Sequence, residues 1–176
     1  PPAQTSPTII TLATDGFFDN SVTAWTNTSG NGRANGPRVF ADDEDVIIYG
    51  KTAIATNGSQ MEIKGGRHVR FIGAHRRGRL MWKAQTGSVW MEGCEFVLDA
   101  ATTDQDALWV SGKTGYQPDF YMQKCLITGV QGTNAGTHGD ILQLQGPVGT
   151  VYIDLLTGNS NYQGLFLRPE YLVNGA

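Results

Sequence analysis

The sequence predicts an all-β protein: a right-handed, single-stranded parallel β-helix, a solenoid with three short strands per coil, preceded by an irregular N-terminal capping segment. Three observations lead to this fold class. A strand pattern in three parts recurs between residues 61 and 167. Its copies keep a fixed internal order, which is typical of a solenoid. The 23 glycines and the charged content of only 16% indicate a chain with many turns rather than long helices.

The first part of the pattern, strand one, is a block of four residues in which apolar and outward-facing residues alternate with a period of two. We expect the first and third residue of each block to point into the solenoid and the alternate residues to point outward. The inward set is Met61, Ile63, Leu80, Trp82, Leu108, Val110, Leu142, Leu144, Leu165 and Leu167. A shift of one residue would reverse every face.

The second and third parts of the pattern follow at constant offsets. Strand two begins at Val69, Val89, Phe120 and Val151. Five residues after each of these positions come the residues that mark strand three, Ala74, Cys94, Cys125 and Leu156. Each coil then pairs only with its neighbours, and like residues form columns. We therefore expect Cys94 and Cys125 to be adjacent, buried and reduced, which leaves the redox compartment undetermined.

One segment is more specific than the repeat. His138, Asp140 and Gln143 look like the His-x-Asp-x-x-Gln run of some β-helix proteins that handle polysaccharide. Together with the repeated strands over residues 45–170, this run resembles the pectate-lyase-like β-helix superfamily, which includes secreted polysaccharide lyases and hydrolases and also bacteriophage tailspikes. In character the chain is most similar to tailspikes and receptor-binding spike proteins. The resemblance implies a polysaccharide ligand and an extracellular or virion-surface location.

The chain divides into two predicted regions. Residues 1–44 lack the repeat and are expected to form an irregular lead and cap, with a candidate strand at Thr8–Leu12. Residues 45–176 form the β-helix. The coil that begins at Leu165 does not close, so we expect either that the natural chain continues beyond Ala176 or that another subunit covers this end. The acidic run from Asp42 to Asp45 is interpreted as a solvated turn or, alternatively, a cation site.

Charge and hydropathy limit the classes of partner. The net charge of −3 argues against nucleic-acid binding by bulk electrostatics. The longest apolar runs, such as Val46–Tyr49, are far too short to span a bilayer. We therefore expect no nucleic-acid partner and no membrane span.

The turns that precede each strand one are polar and stack on one side of the predicted solenoid. Turns 99–106 and 129–140 insert at the same corner, so Asp104, Asp106, His138 and Asp140 are expected within about 10 Å of one another. Paired carboxylates suit acid/base chemistry or cation binding. The candidate catalytic residues are thus Asp106, His138 and Asp140, and the candidate calcium ligands are Asp104, Asp106 and Asp140. Alternatively, the aspartates cap turns by accepting backbone N–H bonds.

Two outer surfaces are candidates for binding. Strand one presents an outer column with Trp109, Gln143 and Phe166, beside a second column of Lys64, Lys83, Ser111, Gln145 and Arg168. Aromatic faces pack against sugar rings, and arginines pair with carboxylates in bidentate fashion. The candidate carbohydrate-binding residues are Trp109, Gln143, Phe166, Arg76, Arg77, Arg79 and Arg168. Strand two presents Arg70, Trp90, Tyr121 and Tyr152, a ladder that we expect a partner chain to cover.

Three functions fit these patterns. The favoured hypothesis is a carbohydrate-recognising module of a phage or phage-like spike or fibre, which binds a host surface polysaccharide without a cofactor, as a homo-oligomer such as a trimer or with other spike subunits. A secreted polysaccharide lyase or glycoside hydrolase that acts on an acidic polysaccharide is the first alternative. The set of catalytic residues is incomplete, which favours binding over catalysis. A purely structural β-helix spacer in an assembly is the second alternative.

Overall fold

The computed structural model describes residues 2–11, 38–50, 61–98, 106–132 and 139–168. Within these ranges the chain is all-β, with no helix and therefore none long and apolar enough to cross a membrane. The strands are β1 (Thr8–Thr11), β2 (Arg38–Phe40), β3 (Val46–Tyr49), β4 (Met61–Gly65), β5 (His68–Ile72), β6 (His75–Arg77), β7 (Leu80–Lys83), β8 (Ser88–Glu92), β9 (Glu95–Val97), β10 (Leu108–Ser111), β11 (Asp119–Gln123), β12 (Leu126–Val130), β13 (Asp140–Leu144), β14 (Val151–Asp154), β15 (Thr157–Ser160) and β16 (Gly164–Leu167).

The strands form three parallel sheets. The strand-one sheet has the order β2-β4-β7-β10-β13-β16, the strand-two sheet the order β1-β3-β5-β8-β11-β14, and the strand-three sheet the order β6-β9-β12-β15. From β4 onward the chain passes through the three sheets in a constant sequence, and each strand pairs with its counterpart in the next repeat. The predicted all-β class and parallel pairing are confirmed.

The register of the sheets agrees with the alternation in the sequence. In the strand-one sheet Leu108 pairs with Leu80 on one side and Leu142 on the other. In the strand-two sheet Phe120 lies between Val89 and Val151. Most of these apolar positions are fully buried, and they form a single continuous core. The predicted register of strands one and two is therefore confirmed.

Burial departs from the prediction at both faces of the strand-one sheet. Glu62, Met81 and Gln143 were expected to face solvent but are buried, and Lys83 lies over this face with its Nζ 3.0 Å from Glu62 Oε2. Leu165 and Leu167 were expected in the core but are 46% and 50% exposed. They lie on β16, which has a described neighbour on one side only. The side chain of Met61 lies outside the described part.

The corner between strands two and three requires a left-handed backbone. The corner residues Gly73, Gly93, Lys124 and Leu155 have φ angles of 64°, 62°, 54° and 52°. Glycine adopts this conformation without the steric cost that other residues incur. Strand three therefore starts later than predicted: Ala74, Cys94, Cys125 and Leu156 lie in the corner, and the strands begin one residue further on.

The two cysteines behave as predicted, since both are buried and neither forms a disulfide. The leucine that follows Cys125 donates its backbone N–H to Cys94 O at 2.9 Å, so the two corners are adjacent. A hydrogen bond with Cys125, together with burial, raises the pKa of the Cys94 thiol. These thiols are packing residues of the core.

The N-terminal segment 1–44, predicted to be an irregular lead and cap, contributes strands to two sheets. The candidate strand at Thr8–Leu12 is present as β1, Thr8–Thr11, and pairs with β3, while β2 pairs with β4. Residues 12–37 of this predicted cap lie outside the described residues. Gln4 binds this segment to the strand-two sheet, because its Nε2 donates hydrogen bonds to Val46 O at 3.0 Å and to His68 O at 2.7 Å.

Asp45 holds the N-terminal segment against the sheets. Its side chain is fully buried and forms a two-pronged ion pair with Arg67, with both N–O distances 2.8 Å. It also accepts the backbone N–H of Thr5 at 2.6 Å. The hydrogen bonds from Arg67 lower the pKa of Asp45 from 3.8 to about 2 despite its burial. Asp45 is therefore buried and not solvated, and the cation that it binds is the guanidinium of Arg67. Asp42, in the same acidic run, pairs with Lys113.

The Asp45 ion pair predicts a specific acid sensitivity. Because the folded-state pKa is depressed, the stabilisation is complete above pH 3.8 and is lost as the pH falls towards 2. This difference in pKa corresponds to roughly 2 kcal/mol. Urea unfolding between pH 5 and pH 2 should show wild type losing about that much more stability than Asp45→Asn. The exposed Asp43→Asn is the control, and identical pH profiles for wild type and Asp45→Asn would contradict the assignment.

Candidate functional site

The strand-one sheet brings together the side chains of the candidate carbohydrate site. The pairing of β7, β10 and β13 places Met81, Trp109 and Gln143 in one column. The backbone N–H of Gln145 donates to Val110 O at 2.9 Å, which extends the pairing past the end of β13. Neighbouring strands are about 4.8 Å apart, so residues from three repeats form one surface.

Trp109 is the centre of this surface. Its indole Nε1 donates a hydrogen bond to Gln145 Oε1 at 2.8 Å, which fixes the edge of the ring. Lys83 Nζ lies 4.8 Å from the ring centroid and Arg79 Cζ lies 5.9 Å from it. The indole is half-buried. It is therefore held in place by polar contacts and still presents part of its surface to solvent.

A shallow groove runs beside the indole. Arg79, Met81, Lys83, Trp109 and Gln145 line it, and its volume is about 190 Å³. The lining combines an aromatic ring with cationic and amide groups. Such a set can contact the apolar face of a sugar ring while it donates hydrogen bonds to hydroxyl or carboxylate oxygens.

The exposed charges that the structure describes on this face are cationic. Lys64 is exposed, and Lys83, Arg79 and Arg168 are half-buried. The carboxylate of Glu62 on the same face is buried and paired with Lys83. Glu62 and Asp106 partly neutralise Lys83 and Arg79, so the attraction for an anionic ligand comes from the excess of cations on this face.

The remaining predicted sugar contacts occupy different environments. Phe166 pairs in register with Gln143, and Arg168 Cζ lies 5.5 Å from the Phe166 ring centroid, so the predicted outer column continues to β16. Gln143 is only 7% exposed, which restricts direct contact with a ligand. Arg76 and Arg77 lie on β6, but their side chains are outside the described part of the chain.

The two aspartates expected at the neighbouring turns are in contact. Asp106 Oδ1 accepts the backbone N–H of Asp140 at 3.2 Å, and Asp106 Oδ2 accepts a hydrogen bond from Arg79 at 2.8 Å. Asp106 is 4% exposed and Asp140 is fully buried. This geometry favours the interpretation of Asp106 as a turn-capping acceptor. Asp104 and His138 lie outside the described residues, so the four-residue cluster and its catalytic role stay predictions.

The calcium site also stays a prediction. Among the residues that the structure describes, no three His, Cys, Asp or Glu side chains come together as a metal site would require. One of the three predicted ligands, Asp104, is not among them. Asp106 and Asp140 are in contact through the backbone N–H of Asp140, and Asp106 has Arg79 as a cationic partner.

Sequence reasoning missed the ion pairs that shape this surface. Arg79 was assigned to sugar binding, yet it also neutralises Asp106, 27 residues away in the sequence. The pairing of Lys83 with Glu62 was missed too. The signal that could have found the second pair is the in-register alignment of Lys64 with Lys83, which places Glu62 diagonally opposite Lys83.

Comparisons of the chain with protein-family models, with curated proteins and with solved structures gave no significant match. The functional assignment therefore depends on the geometry of the strand-one surface and on the chemistry of its side chains.

The capping role of Asp106 predicts a loss of stability on mutation. Asp106→Asn keeps one acceptor oxygen but removes the charge-assisted bond with Arg79, so we expect the free energy of unfolding to fall by about 1–3 kcal/mol. Urea denaturation against the exposed control Asp43→Asn measures the effect. A variant as stable as wild type that has lost calcium binding would contradict the capping role and support the metal site.

Proposed function

We propose that the three parallel sheets are the faces of a right-handed, single-stranded parallel β-helix, and that this module recognises a host surface polysaccharide as part of a phage or phage-like spike or fibre, outside the cell or on a virion surface. The constant order in which the chain passes through the three sheets supports the β-helix. Side-by-side pairing of like strands from successive repeats supports it further.

The observation that carries the binding proposal is the half-buried Trp109 in its groove. The hydrogen bond to Gln145 at 2.8 Å fixes the indole before any ligand arrives. A preorganised ring loses little conformational entropy on binding. Lys83 and Arg79 lie beside the ring and can donate hydrogen bonds to ligand oxygens. The groove thus combines an apolar platform with directional donors.

The charge of the face favours an acidic polysaccharide over a neutral one. Lys64, Lys83, Arg79 and Arg168 are the exposed or half-buried charges described there. Lys64 and Lys83 lie on the neighbouring strands β4 and β7, Arg79 directly precedes β7, and Arg168 directly follows β16. A chain laid across the strands would bring its carboxylates to several of these cations in turn. Arginine pairs with carboxylates in planar, bidentate geometry.

Binding rather than catalysis is the role that the aspartates support. A catalytic carboxylate must reach the reacting atoms, within about 3 Å or through one water. Asp106 is instead almost fully buried, and it accepts hydrogen bonds from Arg79 and from the backbone of Asp140. Its contacts are those of a structural group.

Removing the indole tests the proposal. We expect Trp109→Ala to weaken binding of an acidic polysaccharide such as polygalacturonate by at least about tenfold, measured by titration calorimetry. Trp109→Phe should retain most of the affinity because it keeps an aromatic face. Tyr116→Ala removes an exposed ring elsewhere on the chain and is the matched control.

Two results would contradict this function. One is wild-type protein that binds no member of a panel of acidic polysaccharides, with neutral dextran as the comparison. The other is unchanged affinity in Trp109→Ala with intact folding. New reducing ends or absorbance from unsaturated sugars during the titration would instead support the lyase or hydrolase.

A further inference from the structure

A second outer surface lies on the strand-two sheet, away from the Trp109 groove. We call its central column the aromatic stripe. It consists of Ile9, Ile47, Arg70, Trp90, Tyr121 and Tyr152, which are aligned in register on six neighbouring strands. Six strands at about 4.8 Å spacing make the stripe about 24 Å long.

The rings of the stripe pack against one another. The centroids of Trp90 and Tyr121 are 5.0 Å apart, and those of Tyr121 and Tyr152 are 4.7 Å apart with an interplanar angle of only 2°. Stacked rings cover each other's faces, so the stripe presents mainly ring edges. It nevertheless remains open: Ile9 is 63% exposed and Tyr152 is 50% exposed. A recess of about 560 Å³ lies beside the three rings.

The single cation of the stripe has no anionic partner among the described residues. Arg70 lies on β5, and its guanidinium carbon is 6.0 Å from the Trp90 ring centroid. Its Nε is buried and makes no hydrogen bond within the described part of the chain. A carboxylate from outside can accept hydrogen bonds from the other N–H groups of this half-buried guanidinium.

Carboxylates lie on the other half of the same face. Glu92, Asp119 and Asp154 are on β8, β11 and β14. Their side-chain contacts are with neutral donors: Trp90 Nε1 at 3.4 Å from Glu92, Tyr121 Oη at 3.3 Å from Asp119, and Gln123 Nε2 at 3.0 Å from Asp154. Arg70 therefore lies in one half of the face, and three carboxylates lie in the other.

From this pattern we propose that the aromatic stripe is a homodimer interface, on which a second copy of the chain packs face to face. The two-fold axis runs along the strands between β5 and β8, so the strands of the two copies are stacked in opposite order. In a two-fold interface each contact occurs twice. Ile9 of each copy then meets Tyr152 of the other. Arg70 of each copy lies opposite Trp90 of the other, and the nearest carboxylate across the interface is Glu92, two residues further along β8. A parallel arrangement in register would place Arg70 opposite Arg70, which is repulsive.

The polysaccharide of the proposed function is a poorer occupant of this face. Stacking between Trp90, Tyr121 and Tyr152 leaves few ring faces for sugar rings. The carboxylates of Glu92, Asp119 and Asp154 would repel an acidic chain. The dimer proposal is independent of the Trp109 groove, which lies on another sheet.

A charge-swap experiment tests the interface in the full chain. Analytical ultracentrifugation over a concentration range of about 1–200 µM should detect a wild-type dimer. Arg70→Glu and Glu92→Arg should each raise the dimer dissociation constant by at least about tenfold, and the combined variant should return to within about threefold of wild type. Tyr152→Ala should also weaken the dimer, whereas Tyr116→Ala should not.

Each other outcome overturns the proposal. A wild-type monomer at every concentration excludes the interface, and a trimer excludes its two-fold symmetry. A dimer that Arg70→Glu disrupts and Glu92→Arg fails to restore excludes the proposed pairing. Circular dichroism checks the folding of each variant; if Arg70→Glu does not fold, Tyr152→Ala, a change at an exposed ring, decides whether the stripe is the interface. Polysaccharide binding should be unchanged in all five variants.

Discussion

Parallel pairing in register is the constraint on which the rest of the structure depends. Each strand hydrogen-bonds to the same strand of the next repeat, so an inward residue always meets another inward residue. Phe120 between Val89 and Val151 is an example. The core can then accept a residue as large as Trp82, which is fully buried and packs edge-on against Phe71 with ring centroids 5.6 Å apart.

The same constraint produces two chemically different outer faces. Outward residues also repeat at one strand spacing, so a favourable side chain becomes a column rather than an isolated point. On the strand-one sheet the result is a cationic surface around Trp109, and on the strand-two sheet it is the stacked aromatic stripe. The proposed polysaccharide site and the proposed dimer interface therefore both result from the same repeat, because each lies on a different sheet that the repeat forms.

Much of the fold could be predicted from the sequence because alternation determines which residues of strands one and two face the core. The exposure of Leu165 could not be predicted from alternation, because β16 has a described neighbouring strand on one side only. Ion pairs between repeats were also missed. Asp45 and Arg67 are 22 residues apart, and Arg79 and Asp106 are 27 apart; their contact depends on the reach of the side chains and not on periodicity. The adjacency of Asp106 and Asp140 was predictable because each lies two residues before the first inward leucine of a strand one, Leu108 or Leu142.

Interstrand nuclear Overhauser effects in the labelled 19.0 kDa protein test the parallel in-register stacking most directly. Backbone contacts are expected from Phe120 to both Val89 and Val151, each 31 residues away, in the pattern of parallel strands with evenly spaced hydrogen bonds. Contacts from Phe120 to other residues, or the short Hα–Hα contacts of antiparallel pairs, would contradict the stacking and with it both proposed surfaces.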